Sequence, residues 1–204
     1  IWPDAALGRA AAFIITASEG GSLHLNDLRT RADEFEPLSV DRFIAGALAT
    51  AADFALFFAP NINSYKRYVN GSFAPTAVAW GLDNRTCSLR VVGHGHSLRV
   101  ENRVPGGDVN QYLAVAALIA AGLHGIDNEL ELEPELTGNA YASDSPRVPS
   151  TMGAARERFH ASQVVRATLG EEVVEHYANM ADIELAAYNA AVTDWELVRG
   201  FERL

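Results

Sequence analysis

The middle of the chain alternates apolar and polar side chains with the period of two that is typical of β-strands. In the segment 98–104 the three apolar side chains fall on one face, and three charged side chains fall on the other: Arg99, Glu101 and Arg103. The segment 87–92 alternates in the same way one turn earlier. We therefore expect three short strands, at 77–80, 87–92 and 98–104.

A helical period of three to four residues governs the segment before these strands. The pattern predicts a helix over 40–56, with Ser39 as its N-cap and Leu38 as a hydrophobic staple. Pro60 ends the helical pattern. We expect the buried stripe of this helix to consist of Phe43, Ala47, Ala51 and Phe54.

A second helix is predicted over 112–123, after the strands. It is apolar on all sides, so we expect it to be buried. Asp108 or Asn110 is the predicted N-cap. Gly122 and Gly125 are the predicted positions for its end.

The last third of the chain is also helical by pattern. The region 151–169 holds one or two short helices, which Gly170 ends. The region 171–204 has the pattern of one long amphipathic helix, and we expect its apolar stripe to pack on the domain.

The first part of the chain contains an apolar run of strand length, 10–17, followed by Gly20 and Gly21. Paired glycines mark a turn, after which His24 faces the side opposite the neighbouring leucines. A lone histidine in such a place is more often structural than a ligand, and this segment alone favours the structural role. The charged segment 27–37 is expected to form a loop.

Two interpretations of the charged strand face remain open at this point. The simpler one is a solvated face with a cross-strand ion pair. The other is the wall of a site, in which Glu101 binds a metal ion and the arginines bind oxyanions through their planar donor forks. Arg90, in the preceding strand, could point at the same place.

Composition narrows the function classes. The chain has 204 residues, of which 49% are hydrophobic and 21% charged, which supports one sizeable core rather than disorder. A net charge of −10 argues against nucleic acid as a partner. No repeat or linker divides the chain, so we expect one domain.

Cysteine use and hydropathy indicate the compartment. Cys87 is the one cysteine of the sequence, so no internal disulfide framework is expected. We find no signal-peptide pattern and no apolar run that could span a bilayer, and we expect a cytoplasmic protein without a membrane partner. The sequence begins with Ile1 and not with Met, so we expect it to be a fragment.

Several ordered motifs give the chain a family resemblance. The sequence resembles the glutamine synthetase family at Asn63-Ser64-Tyr65-Lys66-Arg67, Phe73-Ala74-Pro75, Asn84-Arg85-Thr86-Cys87-Ser88-Leu89-Arg90, Glu101-Asn102-Arg103 and Asn110-Gln111-Tyr112-Leu113. The resemblance implies an α+β fold, with an antiparallel sheet backed by helices and a long C-terminal helix. Residues 1–204 would then be the C-terminal portion of the catalytic domain, without its small N-terminal domain.

The resemblance also implies a reaction and a set of site residues. The family uses ATP to phosphorylate the γ-carboxylate of glutamate, and ammonia or an amine then displaces the phosphate. By resemblance, His24 and Glu101 bind Mg²⁺ or Mn²⁺, and Gly20, Arg67 and Arg103 bind glutamate. Three arginines match positions that contact ATP or the transferred phosphoryl group: Arg85, Arg90 and Arg99. Arg85 and Arg103 match catalytic positions. The full-length family forms homo-oligomeric rings.

One departure from the family pattern concerns the acceptor. Ordinary glutamine synthetases have a glutamate in the segment that closes the site, the flap. In this chain the flap is residues 71–75, and Phe73 stands in place of that glutamate. A phenyl ring cannot accept a proton or attract ammonium by charge. The pattern therefore resembles the bacterial subgroup that glutamylates amines, although Phe73 could equally serve packing alone. Asn26 stands in place of a second histidine, which puts one contact on the ATP side in doubt.

Three hypotheses follow from the sequence. The first is part of an ATP-dependent ligase that joins glutamate to a small amine. The second is an orthodox glutamine synthetase that uses ammonia. The third is a non-catalytic relative that serves as a scaffold, which would predict eroded ligands, whereas His24, Glu101 and the named arginines are all retained.

We expect the 204-residue polypeptide alone to be inactive, because the resemblance implies that other metal-binding glutamates lie in a region preceding it. The measurement is a coupled ADP-release assay with glutamate and an amine. Amine-dependent turnover by the isolated chain would contradict this expectation.

Overall fold

Helices flank a small sheet in the part of the chain that the computed structural model describes, residues 37–94 and 97–201. The helices before the sheet are α1 (Pro37–Ala49), α2 (Ala55–Phe58) and α3 (Ile62–Tyr65). The strands are β1 (Ala77–Leu82), β2 (Cys87–Val92) and β3 (Arg99–Asn102). After the sheet come α4 (Gln111–Asp127), a 3₁₀ turn (Ala140–Ala142), α5 (Met152–Ala161), α6 (Gln163–Leu169), α7 (Glu171–Ala190) and α8 (Asp194–Phe201).

The sheet has the order β1-β2-β3, and all three predicted strands are confirmed. β2 and β3 are antiparallel, with Arg90 opposite Glu101 and Val91 opposite Val100. The prediction of an α+β fold with a sheet backed by helices is confirmed, but the sheet is mixed, because β1 and β2 run parallel. A parallel pair normally needs a connection of about a dozen residues or more, whereas residues 83–86 alone join these strands.

The core lies between the inner face of β2 and β3 and the surrounding helices. On the sheet side it contains Leu89, Val91, Val100 and Val104, which are at most 8% exposed. On the helical side, Phe57 contacts the rings of Phe159 and Tyr177 at centroid distances of 5.0 and 4.8 Å. Burial of these side chains fixes which face of the strands points outward.

The first helix differs from its predicted bounds. It begins at Pro37, a residue that suits the first helical position, so Ser39 lies inside the helix and is not its N-cap. It ends at Ala49, and the buried Thr50 donates its hydroxyl to the carbonyl of Gly46 at 2.8 Å. Turns then lead to α2. The predicted buried stripe is confirmed, since Phe43, Ala47, Ala51 and Phe54 are at most 6% exposed.

The second predicted helix, α4, is capped by Asn110, whose Oδ1 accepts from the amides of Tyr112 and Leu113 at 3.0 and 3.3 Å. It continues to Asp127, so the prediction that Gly122 or Gly125 ends it is wrong. Both glycines lie where α4 packs against α1. A Cβ on Gly122 would meet the Phe43 ring at 1.6 Å, so the glycines permit close packing of the two helices.

The predicted long C-terminal helix is present as two helices. Val174 and Ala181 of α7 are buried, as the stripe predicts, whereas Tyr188 and Val192 of the same predicted stripe are exposed. α7 ends at Ala190, and a new helix begins after Thr193, whose amide donates to Oε2 of Glu196 at 2.6 Å, the backbone half of a capping box. In α8 no residue is buried, and the apolar side chains of Trp195, Val198 and Phe201 are exposed.

Within residues 37–94 and 97–201, no helix combines the length and the apolar character that crossing a membrane would require.

The close contact between α1 and α4 predicts that a larger residue at Gly125 destabilises the fold. A Cβ on Gly125 would lie 2.0 Å from the carbonyl oxygen of Arg42 and 2.6 Å from the amide nitrogen of Gly46. Both are backbone atoms of α1, which cannot move aside as a flexible side chain could. We expect Gly125→Ala to lower the free energy of unfolding by about 1–3 kcal/mol or more. Urea-induced unfolding measures the change.

Gly153→Ala in α5 is the matched control. Its Cβ would meet only Leu185 Cδ1, at 4.0 Å, so the helix-forming alanine should be neutral or stabilise by up to about 1 kcal/mol. Equal destabilisation by both substitutions would contradict the packing role assigned to Gly125.

Candidate functional site

An open cleft of about 360 Å³ lies between the flap and the end of β3. Its lining combines guanidinium, carboxylate, hydroxyl and apolar groups: Arg67, Ser72, Phe73, Ala74, Glu101, Asn102, Arg103 and Pro105. Four of the residues predicted from the sequence as site residues are among them: Arg67, Phe73, Glu101 and Arg103.

Two arginines converge on the carboxylate of Glu101. Arg90 Nη1 lies 3.2 Å from Oε2 of Glu101, and Arg103 Nη1 lies 3.0 Å from the same oxygen. Partial burial tends to raise the pKa of Glu101, but hydrogen bonds and charge from Arg103 and Arg90 outweigh it and hold this pKa below its ordinary value. The carboxylate therefore lies between two guanidinium groups on one face of the sheet.

Arg90 also pairs with Asp83, a residue that the sequence analysis did not single out. Both Nε and Nη2 of Arg90 donate to Oδ1 of Asp83. The hydrogen bonds from Arg90 are the main cause of a lowered pKa of Asp83, and the charges of Arg85 and Arg99 act in the same direction. Four side chains of alternating charge thus form a row, here called the charge row: Arg103, Glu101, Arg90 and Asp83.

Arg67 is held at the other side of the cleft. Its Nη2 donates to the carbonyl of Val104, which also accepts from the hydroxyl of Tyr68 at 3.0 Å. Its guanidinium carbon lies 4.9 Å from the centre of the Tyr68 ring. The Nε atoms of Arg67 and Arg103 are buried and meet no acceptor within the described part of the chain. These arginines therefore retain donor capacity that their own surroundings do not use.

Asp108 supports the loop that follows β3. It accepts from the hydroxyl of Ser64 at 2.5 Å and from Nδ2 of Asn61 at 3.1 Å. The hydrogen bond from Ser64 is the main cause of its lowered pKa. Asp108 was considered from the sequence as a cap of α4, but it ties that loop to α3 instead, close to Arg67.

The flap carries Phe73 in an unusual conformation. Phe73 has a φ of +62°, in the left-handed region that bulky residues rarely adopt. The residue is 65% exposed, and its carbonyl accepts from Nη2 of Arg103 at 3.0 Å. An exposed aromatic ring thus lies at the rim of a cleft that also contains two cations and a carboxylate.

The other predicted phosphate-binding arginines lie farther along the sheet. Arg85 is exposed and lines a second open cleft of about 450 Å³, together with Leu82–Asn84 and residues 135–138. Arg99 is exposed on β3, opposite Val92. The structure therefore places Arg67 and Arg103 together in one cleft, with Arg90 beside them through Glu101. Arg85 and Arg99 lie near Asp83 at the other end of the charge row.

The described part of the chain contains one of the two predicted metal ligands, Glu101. In residues 37–94 and 97–201, no three side chains of His, Cys, Asp or Glu lie close enough together to hold a metal ion. Glu101 offers one carboxylate, which is engaged by two arginines. These residues do not make up a metal site by themselves. Gly20 and His24, predicted for glutamate and metal binding, lie outside the described residues.

Comparison with known proteins identifies the relatives of this chain. The family model for the catalytic domain of glutamine synthetase matches residues 31–199. Gamma-glutamylethanolamide synthetase of Streptomyces coelicolor is 55% identical over 194 residues, which are 91% of this chain and 42% of that protein. Glutamate–isopropylamine ligase of a Pseudomonas species is 42% identical over 162 residues, 77% of this chain and 35% of that protein.

A solved structure of GmaS in complex with ADP is similar in fold, with a TM-score of 0.71 and 26% sequence identity. The match covers 81% of this chain and 40% of that structure. The chain thus spans about two fifths of the length of the relatives it matches.

The pairing of Glu101 predicts a pH-dependent stability. Because the pKa of Glu101 is lowered in the folded state, its contribution is present above the ordinary glutamate pKa and is lost as the pH falls through the lower folded value. The side chain is 43% exposed, so we expect about 1 kcal/mol or less. The measurement is the free energy of unfolding of wild type minus that of Glu101→Gln.

This difference should be constant near neutral pH and shrink as the pH falls below about 5. Other carboxylates are common to both proteins and cancel. Repeating the series in about 1 M salt should reduce the difference, since the pair is partly exposed. A difference independent of pH would contradict the charge pairing.

Proposed function

This chain belongs to the glutamine synthetase family, and from that membership we propose that it is part of an ATP-dependent ligase that joins glutamate to a small amine. One observation carries the proposal. The cleft that contains Arg67, Glu101 and Arg103 has an exposed phenyl ring, Phe73, at its rim. The cleft thus combines cationic groups that can bind an anion with an apolar surface that can contact the carbon chain of an acceptor amine.

The proposed reaction has two steps. An oxygen of the γ-carboxylate of glutamate attacks the γ-phosphorus of ATP, which releases ADP and leaves γ-glutamyl phosphate. The amine nitrogen then attacks the carbonyl carbon, phosphate leaves with the C–O bonding electrons, and the nitrogen loses a proton. Both steps concentrate negative charge on oxygens, which fixed guanidinium groups stabilise without reorganising.

We assign the arginines by their position. Arg67, which lines the cleft, would hold a carboxylate of glutamate together with Gly20. Arg103 lies between Glu101 and the flap, where it would contact the γ-carboxylate and then the phosphate. Arg85, Arg90 and Arg99 would contact ATP or the transferred phosphoryl group, with Arg85 acting with Arg103 in catalysis.

The side chain at position 73 of the flap favours an amine over ammonium as the acceptor. A carboxylate at position 73 would attract ammonium and accept its proton, and a phenyl ring does neither. The ring instead offers apolar surface to an amine with a carbon chain. Ethanolamide and isopropylamine occur in the names of the two relatives described above, which supports an amine acceptor.

Other parts of the prediction extend the same proposal. His24 and Glu101 would contribute to binding of Mg²⁺ or Mn²⁺. Residues 1–204 would form the C-terminal portion of the catalytic domain of a cytoplasmic enzyme. A homo-oligomer is supported by the exposed apolar side chains of α8, since such surfaces are commonly covered by a partner.

Phe73→Glu in the full-length protein tests the acceptor. We expect the ratio of kcat/KM for ammonium to that for ethanolamine or putrescine to rise by about tenfold, which corresponds to about 1.4 kcal/mol of differential stabilisation, because a carboxylate attracts the small cation. Steady-state ADP release with each acceptor gives the ratio.

Phe73→Leu is the control, because it keeps an apolar side chain and should keep the preference for amines. A wild-type protein that prefers ammonium would refute the amine proposal in favour of an orthodox glutamine synthetase. A wild-type protein without acceptor-dependent ADP release would favour a non-catalytic scaffold.

A further inference from the structure

We propose that Tyr141 is a positioning residue that fixes the flap and thereby sets the affinity of the site for its acceptor. This inference rests on the proposed function, in which Phe73 forms the acceptor side of the cleft. Tyr141 lies far from the flap in sequence and was not among the residues predicted from the sequence.

The flap conformation needs external support. The left-handed φ of Phe73 is unfavourable for a residue with a Cβ and a bulky ring, at a cost of about 1–3 kcal/mol. Ser72 supplies local support, because its hydroxyl lies 2.8 Å from the carbonyl of Arg67 and 2.7 Å from that of Val69, and accepts from the amide of Ala74 at 3.2 Å. One hydroxyl hydrogen must be shared between two carbonyls, so this support is incomplete.

Two side chains from outside the flap hold its backbone carbonyls. Arg103 Nη2 donates to the carbonyl of Phe73 at 3.0 Å, and the hydroxyl of Tyr141 donates to the carbonyl of Ala74 at 2.9 Å. Arg103 is also assigned to an anionic substrate, so its bond to the flap competes with that role. Tyr141 makes no described contact with the charge row, and its bond to the flap is free of that competition.

The backbone around Tyr141 is held in place by hydrogen bonds from other parts of the chain. It belongs to the 3₁₀ turn Ala140–Ala142, in which Ala140 is fully buried. The amide of Ala140 donates to the hydroxyl of Thr86 at 2.9 Å, and Arg147 donates to the carbonyls of Ala140 and Tyr141 at 3.3 and 3.4 Å. The phenol therefore links the flap to the connection between β1 and β2.

This arrangement links two parts of the proposed site. Thr86 directly follows Arg85, and the same turn reaches Ala74, which directly follows Phe73. Loss of the phenol hydroxyl would leave the Ala74 carbonyl without this donor and allow Phe73 to leave its left-handed conformation. The acceptor side of the cleft would then be less well formed, while the binding of ATP, at the arginines, would be little affected.

Tyr141→Phe in the full-length protein tests the inference. We expect KM for the acceptor to rise by about fivefold, the effect of one neutral hydrogen bond, while kcat and KM for ATP stay within about twofold. Tyr188→Phe, the same chemical change on exposed α7, should leave all three unchanged. Ser143→Ala removes a bond to the Ala140 carbonyl in the same turn without touching the flap, and it should also leave KM for the acceptor unchanged.

A second measurement does not depend on turnover. Hydrogen exchange of the amides of Ser72 and Ala74, both bonded within the flap region, should accelerate severalfold in Tyr141→Phe but not in Ser143→Ala. Unchanged exchange in Tyr141→Phe, or equal acceleration in both variants, would overturn the positioning role.

If wild type lacks acceptor-dependent ADP release, the proposed function fails, and the exchange result still decides whether Tyr141 fixes the flap. If wild type is active and KM for the acceptor is unchanged in Tyr141→Phe, the positioning role alone fails.

Discussion

The pairing of Glu101 with Arg90 and Arg103 is the interaction on which the site depends. Without the carboxylate, two guanidinium groups would face each other on one side of a short sheet. Their arrangement follows from the register between β2 and β3, which sets Arg90 opposite Glu101. That register is fixed on the other face, where Leu89, Val91 and Val100 enter the core, because a slip of one residue would exchange the two faces. Apolar packing thus determines where the charges lie.

The part of the site that could be predicted from sequence is the part that follows a local period. Alternation along 98–104 places Arg99, Glu101 and Arg103 on the outer face, and the structure has them there. Contacts between distant segments leave no such pattern. Asp83 as a partner of Arg90 depends on strand register, and the bond from Tyr141 to Ala74 joins residues 67 positions apart. Neither could be inferred from spacing.

The errors in the fold have physical causes of the same kind. Four residues between two strands normally indicate a hairpin, so the parallel pairing of β1 and β2 was not expected. Glycines near a helix end usually mark a terminus, whereas Gly122 and Gly125 allow α1 to approach α4. The break before α8 does have a local signal in Thr193 and Glu196, which the continuous apolar stripe obscured.

The short parallel connection has a mechanical consequence for Arg85. Residues 83–86 are the whole connection between the two strands, and they fold into a hydrogen-bonded turn. The amides of Thr86 and Cys87 donate to Oδ1 and to the carbonyl of Asn84 at 3.0 and 3.4 Å, and Nδ2 of Asn84 donates to the carbonyls of Leu136 and Gly138. Arg85 lies inside this turn, so its backbone is anchored on both sides within a few residues, which a longer and freer loop would not provide.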